Sequence, residues 1–133
     1  MPKRPALFRP HGEPSSAERV SNYNDRRGSS RERGYDTRWD DLSRGFRRAN
    51  PLCLGCQAIG RVVLTDVCDH VIPHRGDRRL FWDPANRQPA CNWHHSAVKQ
   101  TLERMYDDGE IAADQLRLDS AAAIELTREM MDP

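Results

Sequence analysis

Two stretches decide the fold: Cys53-Leu-Gly-Cys56 and, after 34 intervening residues, Cys91-Asn-Trp-His94-His95. Two short-spaced pairs of soft ligands are what a tetrahedral zinc site requires. The surrounding segment 37–106 is small for a secure hydrophobic core, and structural zinc can add on the order of 10 kcal/mol of folding free energy. We therefore predict that Cys53, Cys56, Cys91 and His94 bind structural Zn²⁺. A metal-free buried pair or a redox C-x-x-C is the alternative, but the βαβ context of a redox motif is missing.

A second set of polar residues is interleaved with these ligands. Asp69 and His70 are neighbours in a predicted strand, so their side chains point to opposite faces. His94 and His95 are neighbours in a predicted helix, about 100° apart, and can therefore serve two different sites. Asn86 lies between the two pairs. Asp and His leave open positions for water and phosphate on a divalent cation, so this order is typical of a metal-dependent phosphodiester-cleaving site.

The pattern around these motifs predicts short elements. Trp39, Leu42 and Phe46 recur on one helical face, Asp36 or Thr37 can cap the start of that helix, and Asn50-Pro51 ends it. We predict a tight turn over 53–56, strands over 61–65 and 67–72, a loop over 73–85 and an extended piece over 86–91. Helices are expected over 92–105 and 120–131, and Cys68 is expected to be a small buried residue.

Charge is unevenly distributed along a chain whose net charge is only +1. Residues 1–50 hold 12 Lys and Arg against 7 Asp and Glu, whereas residues 101–133 hold 3 against 9. A basic front favours a polyanionic partner, although ordinary solvated charge gives the same pattern.

Length and hydropathy limit the organisation and the class of the protein. With 133 residues and a mean hydropathy of −0.87, we expect a basic, disordered arm over 1–34, one folded domain over 35–106 and an acidic helical extension over 107–133. No apolar run approaches a membrane span and no export signal is expected, so we predict a cytoplasmic protein without a membrane partner. The deaminase pattern of His-x-Glu followed by Pro-Cys-x-x-Cys is incomplete, because no Pro-Cys-x-x-Cys occurs, and the His-Glu-x-x-His of zinc proteases is missing from the sequence.

Longer motifs support a more specific hypothesis. They are Arg33-Gly-Tyr35, Trp39, Pro51-Leu-Cys53-Leu-Gly-Cys56, Gly60-Arg-Val62, Asp69-His-Val-Ile-Pro-His-Arg-Gly-Asp77, Leu80-Phe-Trp-Asp-Pro-Ala-Asn86, Gln88-Pro-Ala-Cys91 and His94-His95. On these motifs, which span about residues 33–100, the chain resembles the HNH endonuclease family. It is most similar to the small bacteriophage HNH proteins found beside DNA-packaging genes.

The resemblance implies a fold, an activity and partners. The fold would be α+β, a ββα-metal (His-Me finger) core with a treble-clef-like structural zinc site, flanked by helices. The activity would be metal-dependent hydrolysis of DNA phosphodiester bonds, by nicking or double-strand cleavage. The phage relatives imply DNA as the substrate, the phage terminase and portal as packaging partners, and the host cytoplasm as the location.

The same resemblance implies a role for each matching residue. His70 would be the general base, Asp69 and His95 ligands of a catalytic Mg²⁺, Mn²⁺ or Ni²⁺, and Asn86 a support for the loop and the His-bearing strand. Candidate DNA phosphate contacts, each of which could equally be an ordinary surface residue, are His74, Arg75, Arg78, Arg79, Arg87 and Lys99.

The chain departs from the family pattern at two positions, and one rival function stays open. His94 stands where the family usually has a fourth Cys. Val98 stands where a basic residue is common, with Lys99 one place later. The rival is a zinc-stabilised DNA-binding or adaptor module without catalysis, which would not require the set of Asp69, His70 and His95.

Overall fold

A computed structural model describes residues 35–131, so the arm expected over 1–34 lies outside the described residues. The elements are, in chain order, α1 (Thr37–Ala49), α2 (Leu54–Ala58), β1 (Val67–His70), α3 (Arg78–Trp82), β2 (Arg87–Ala90), α4 (Lys99–Asp107) and α5 (Ala121–Met131). Two 3₁₀ turns (Pro84–Asn86 and Ala113–Leu116) and a π-helical turn (His94–Val98) complete the described part of the chain.

The central element is a two-stranded antiparallel sheet. Strand β1 pairs with β2, with Val67 opposite Ala90 and His70 opposite Arg87. The chain leaves β2 at Cys91 and enters a helix at once, passing through the π-helical turn into α4. The fold is a small mixture of helices and a two-stranded sheet, which agrees with the predicted α+β class.

Helix α1 begins and ends where the sequence predicts. The Asp36 carboxylate accepts a hydrogen bond from the Trp39 amide at 3.1 Å and caps the first turn. At the other end, the Asn50 amide donates to the Phe46 carbonyl, and Pro51 follows. Trp39 is buried, and Leu42 and Phe46 pack beside it, so the predicted apolar stripe is the face that α1 buries.

Residues 61–65 do not form the expected strand. This segment makes one isolated bridge, between Leu64 and Leu52. Val62 and Leu64 are 80% and 69% exposed. A β-branched run indicates a strand only where its side chains have a surface to pack on, and these two have none among the described residues.

Two other local predictions also need correction. The expected loop over 73–85 contains α3, because the Asp77 carboxylate accepts from the amides of Arg79 and Leu80 and so caps a short helix that buries Phe81. The turn expected between Cys53 and Cys56 is helical and continues as α2. The final helix, α5, follows the prediction, and the Ser120 hydroxyl accepts from the Ala123 amide at its start.

The sheet separates two apolar clusters. One contains Trp39, Cys68 and Phe81, and burial raises the pKa of the Cys68 thiol to about 11. The other joins the second strand and α4 to the C-terminal segment, through Val71, Ala90, Val98, Leu102, Leu116, Leu118 and Ala123. The acidic C-terminal segment therefore packs on the core. None of the described helices has both the length and the apolar character needed to cross a bilayer.

Candidate functional site

Three cysteines and one histidine meet in a buried cluster. The Sγ atoms of Cys53, Cys56 and Cys91 lie 3.6, 3.4 and 3.5 Å from Nδ1 of His94. The Sγ atoms of Cys56 and Cys91 are 3.9 Å apart. All four residues are buried, and all four donor atoms lie within 4.8 Å of one another.

These separations are those of a tetrahedral zinc site. Bonds of about 2.3 Å to sulfur and about 2.05 Å to nitrogen, at tetrahedral angles, place N and S about 3.6 Å apart and two S atoms about 3.8 Å apart. Three thiolates and one imidazole are also the donors that zinc takes in structural sites. The cluster can hold a metal ion such as zinc, and the four ligands predicted from the sequence are the ones that converge.

A glycine in the C-x-x-C motif makes room for the histidine. A Cβ built on Gly55 would lie 2.2 Å from Cδ2 and 2.5 Å from Nε2 of His94. No side chain fits there unless the imidazole or the backbone of α2 moves. The His94 ring therefore lies directly on the backbone of α2, between the two cysteines of the motif.

The three thiols differ in their acidity. Burial, together with the nearby Cys53, raises the pKa of Cys56 to about 12, and burial also raises the pKa of Cys91. Burial acts the same way on Cys53, but hydrogen bonds to His94 and to the backbone outweigh it and lower its pKa to about 6. Metal binding requires deprotonated thiols, so a bound cation would favour the thiolate of all three.

The far side of the His94 ring contacts the C-terminal helix. Nε2 of His94 lies 3.2 Å from Oγ1 of Thr127, and both residues are 0% exposed. Sequence analysis missed Thr127, because it stands 33 residues away in a segment that no ligand motif reaches.

Asp69 and His95 form a second polar site beside the cluster. Nδ1 of His95 donates to Oδ1 of Asp69 at 2.8 Å. The other carboxylate oxygen, Oδ2, accepts from Gln88 at 2.8 Å and lies 3.2 Å from the ammonium of Lys99. Asp69 is 3% exposed, whereas the side chain of His95 is 47% exposed, so the pair opens to solvent on the His95 side.

Hydrogen bonds and charges in this site favour the ionised forms. Burial alone would raise the pKa of Asp69, but the hydrogen bond from His95 and the charge of Lys99 hold it below its usual value. The same hydrogen bond raises the pKa of His95.

The π-helical turn explains how neighbouring histidines and Lys99 reach their targets. The Lys99 amide bonds to the His94 carbonyl, five residues back, instead of to a carbonyl four residues back. His94 faces the cysteines while His95 faces Asp69, as predicted. Lys99, four positions after His95, also reaches Asp69, and Val98 is buried in the core.

His70 lies on the other face of β1, among aromatic rings. Its ring stacks on Trp39, with centroids 4.7 Å apart and planes at 18°, and contacts Tyr35 and Phe81 edge-on or tilted. Nε2 lies 3.0 Å from the carbonyl oxygen of Phe81, so Nε2 carries the proton and Nδ1 has the lone pair. Burial lowers the pKa of His70. Asp69 and His70 thus diverge from adjacent positions of one strand.

Both polar atoms of the Asn86 side chain form hydrogen bonds with the backbone. Its Oδ1 accepts from the Ile72 amide at 2.7 Å, and its Nδ2 donates to the carbonyls of Ile72 and Leu80. It thereby ties the residues after β1 to α3, the helix whose Phe81 carbonyl holds His70. This is the supporting role expected for Asn86.

The six expected DNA contacts divide by exposure. Arg78 and Arg79 are exposed on α3. Arg75 is exposed but paired with Asp107. His74 hydrogen-bonds Tyr35, and Arg87 is half-buried and donates to the Trp82 carbonyl.

The prediction that Lys99 contacts DNA is wrong. It is 1% exposed, and its ammonium is bound by Glu103, the His70 carbonyl and Asp69. An ammonium with three partners in the interior cannot reach a phosphate backbone. Lys99 belongs instead to the site that orients Asp69.

No protein-family model, no curated protein and no solved structure matches the chain.

Proposed function

We propose that the protein is a metal-dependent HNH endonuclease that hydrolyses DNA phosphodiester bonds. The observation that carries this proposal is the hydrogen bond between Asp69 on β1 and His95 after β2; His70 follows Asp69 in the strand, faces the other side and has a lone pair on Nδ1. Asp69, His70 and His95 are also the residues that match the motifs of the HNH endonuclease family. As a further part of the proposal, the motif resemblance to small phage HNH proteins suggests a role beside terminase and portal in genome packaging.

Asp69 and His95 are the residues that would hold the catalytic Mg²⁺, Mn²⁺ or Ni²⁺. Adjacent ligands of an octahedral ion with bonds of 2.0–2.1 Å lie about 2.8–3.0 Å apart, and Oδ1 and Nδ1 are 2.8 Å apart. Lys99 and Gln88 occupy Oδ2, so the ion would bind Oδ1 and would have to displace the proton with which Nδ1 of His95 donates to it. A divalent ion there would neutralise charge on the scissile phosphate and the leaving oxygen.

His70 is the proposed general base. The Phe81 carbonyl holds its Nε2–H, so Nδ1 is the atom that would take a proton from water. The stack on Trp39 and the contact with Phe81 fix the ring plane. Burial lowers the pKa of His70, which favours the neutral imidazole that a base must be at neutral pH.

The short helix α3 connects this base to the proposed DNA surface. Phe81 on α3 holds His70, while Arg78 and Arg79 on the same helix are exposed. Phosphate contacts at these two arginines would place the backbone of DNA beside the base. Such contacts position DNA without selecting a sequence.

A plasmid-nicking assay tests the proposal. We expect the wild-type protein to nick supercoiled DNA with Mg²⁺, Mn²⁺ or Ni²⁺, and EDTA to stop the reaction. His70→Ala should lose at least 100-fold in rate, roughly the contribution of general base catalysis, with zinc content and DNA affinity retained. Gln100→Ala, an exposed change on α4, is the matched control and should cleave normally.

Two results would overturn the nuclease proposal. One is full nicking by His70→Ala, which would remove His70 as the base. The other is a folded, zinc-loaded wild-type protein that cleaves no DNA with any of the three ions.

The second candidate is a zinc-stabilised DNA-binding module without catalysis. The observation that favours it is that Asp69 is already neutralised inside the protein by Lys99 and His95. This candidate predicts DNA binding that weakens steeply with salt, as phosphate contacts require, and an equal lack of cleavage in wild type and His70→Ala.

A further inference from the structure

The C-terminal helix α5 reaches the metal cluster through one hydroxyl group. Thr127 is 0% exposed, and its Oγ1 lies 3.2 Å from Nε2 of His94. The same hydroxyl lies 2.7 Å from the carbonyl oxygen of Ala123, one turn earlier in α5. Thr127 therefore has two polar neighbours and one proton.

The direction in which the Thr127 hydroxyl donates its proton determines which ring nitrogen of His94 is protonated. A carbonyl oxygen only accepts, so the Thr127 hydroxyl must donate to Ala123 and has lone pairs left for His94. Nε2 of His94 must then donate to Thr127. A neutral imidazole with its proton on Nε2 has its lone pair on Nδ1, and Nδ1 is the atom that faces all three thiols.

We propose that Thr127 is a positioning residue of the metal centre. It selects the Nε2–H tautomer of His94, so that Nδ1 is the fourth ligand, and it holds the ring in the plane that points Nδ1 at the cysteines. The C-terminal helix is thereby part of the metal centre. This proposal goes beyond the nuclease proposal and does not depend on it, because it concerns the affinity for metal.

The packing around the ring leaves His94 dependent on this partner. On one side, the backbone at Gly55 is so close that an added Cβ would collide with the ring. On another, Trp93 contacts it edge-on, with centroids 4.8 Å apart. Without the Thr127 acceptor, the buried Nε2–H would be left unpaired, a cost that a rotated ring or the other tautomer would relieve. A rotated ring takes Nδ1 away from the metal, and the other tautomer puts a proton on Nδ1 and removes its lone pair.

Valine and serine substitutions at position 127 test the proposal. Zinc affinity is measured by competition with a chelator, and the ligand field by the absorption spectrum of the cobalt(II)-loaded protein. Thr127→Val keeps the shape but loses the acceptor, and we expect about 10- to 100-fold weaker zinc binding, the usual effect of removing such a partner. Thr127→Ser keeps the hydroxyl and should bind within about threefold of the wild-type affinity.

Thr101→Val is the matched control. Thr101 also donates to the carbonyl four residues earlier, that of Ala97, but is not part of the cluster, so its loss should leave zinc affinity unchanged. Wild-type affinity in Thr127→Val, or an equal loss in Thr101→Val, would overturn the proposal.

A second measurement does not depend on any variant folding. Long-range proton–nitrogen NMR spectra of the zinc-loaded wild-type protein report which ring nitrogen of His94 carries the proton. We expect the proton on Nε2. A proton on Nδ1 would overturn the proposal whatever the variants do.

Discussion

Replacing Gly55 with alanine should weaken metal binding by a predictable mechanism. The added methyl would lie 2.2 Å from Cδ2 and 2.9 Å from Cγ of His94, where ordinary contacts begin near 3.4 Å. The ring must therefore retreat by about 1 Å, or α2 must shift. Overpacking of this kind costs about 1–3 kcal/mol.

That cost falls mainly on the metal-loaded state. Without metal, the His94 ring is held only by its packing and by the hydrogen bond to Thr127 and can yield to the methyl, whereas with metal Nδ1 would also be held by its bond. A penalty of about 1–3 kcal/mol in one state corresponds to roughly 5- to 150-fold weaker zinc binding, since each 1.4 kcal/mol is tenfold. Competition with a chelator of known affinity measures this change directly.

A second glycine serves as the control. Gly45 lies within α1, and a Cβ there would meet nothing within 4 Å. Gly45→Ala should therefore leave zinc affinity unchanged and add up to about 1 kcal/mol of stability through helix propensity. If Gly55→Ala binds zinc as tightly as Gly45→Ala, the contact between the His94 ring and α2 is not what the geometry indicates.

Three further predictions concern stability. Cys53→Ser should reduce the zinc content, measured by elemental analysis, and lower Tm; a zinc-free variant with the wild-type Tm would contradict a structural metal. Asn86→Ala removes three hydrogen bonds to the backbone and should lower the free energy of unfolding in urea by about 2–4 kcal/mol, so an unchanged midpoint would refute its positioning role. Lys99→Met should cost about 3–5 kcal/mol because it leaves Asp69 buried without its cation. Glu103 also pairs with Lys99, but its side chain is 34% exposed, so Glu103→Gln should cost less than about 1 kcal/mol. Equal losses in Lys99→Met and Glu103→Gln would contradict the importance of the buried pair of Lys99 and Asp69.

The metal cluster was predictable because its information is local. Cysteine and histidine ligands come in short-spaced pairs, and the 100° step between helical neighbours is enough to direct His94 and His95 to different sites. The two ends of α1 were predictable for the same reason, since Asp36 and Asn50-Pro51 lie at its boundaries. The folded protein keeps both features.

The remaining features depend on contacts between distant segments. Val62 and Leu64 have the residue types of a strand, but no surface within residues 35–131 covers them, and a sequence does not state which surfaces meet. Lys99 has the composition of a surface residue, yet a carboxylate 30 residues earlier draws it into the interior. Thr127 gave no signal, because its partner His94 is known only once α5 is docked.

The π-helical turn has a consequence for changes of chain length. It joins two halves of one helix whose directions are fixed by different neighbours: His94 and His95 by the cysteines and Asp69, Leu102 by the core. A π-helical turn holds one residue more than an α-helical turn, so deleting a residue such as Ala97 would let it close to the α-helical pattern, whereas inserting one would turn one half by about 100° against the other. This stretch should therefore accept a one-residue deletion within the π-helical turn more readily than an insertion, which would take either the two histidines or Leu102 away from their partners.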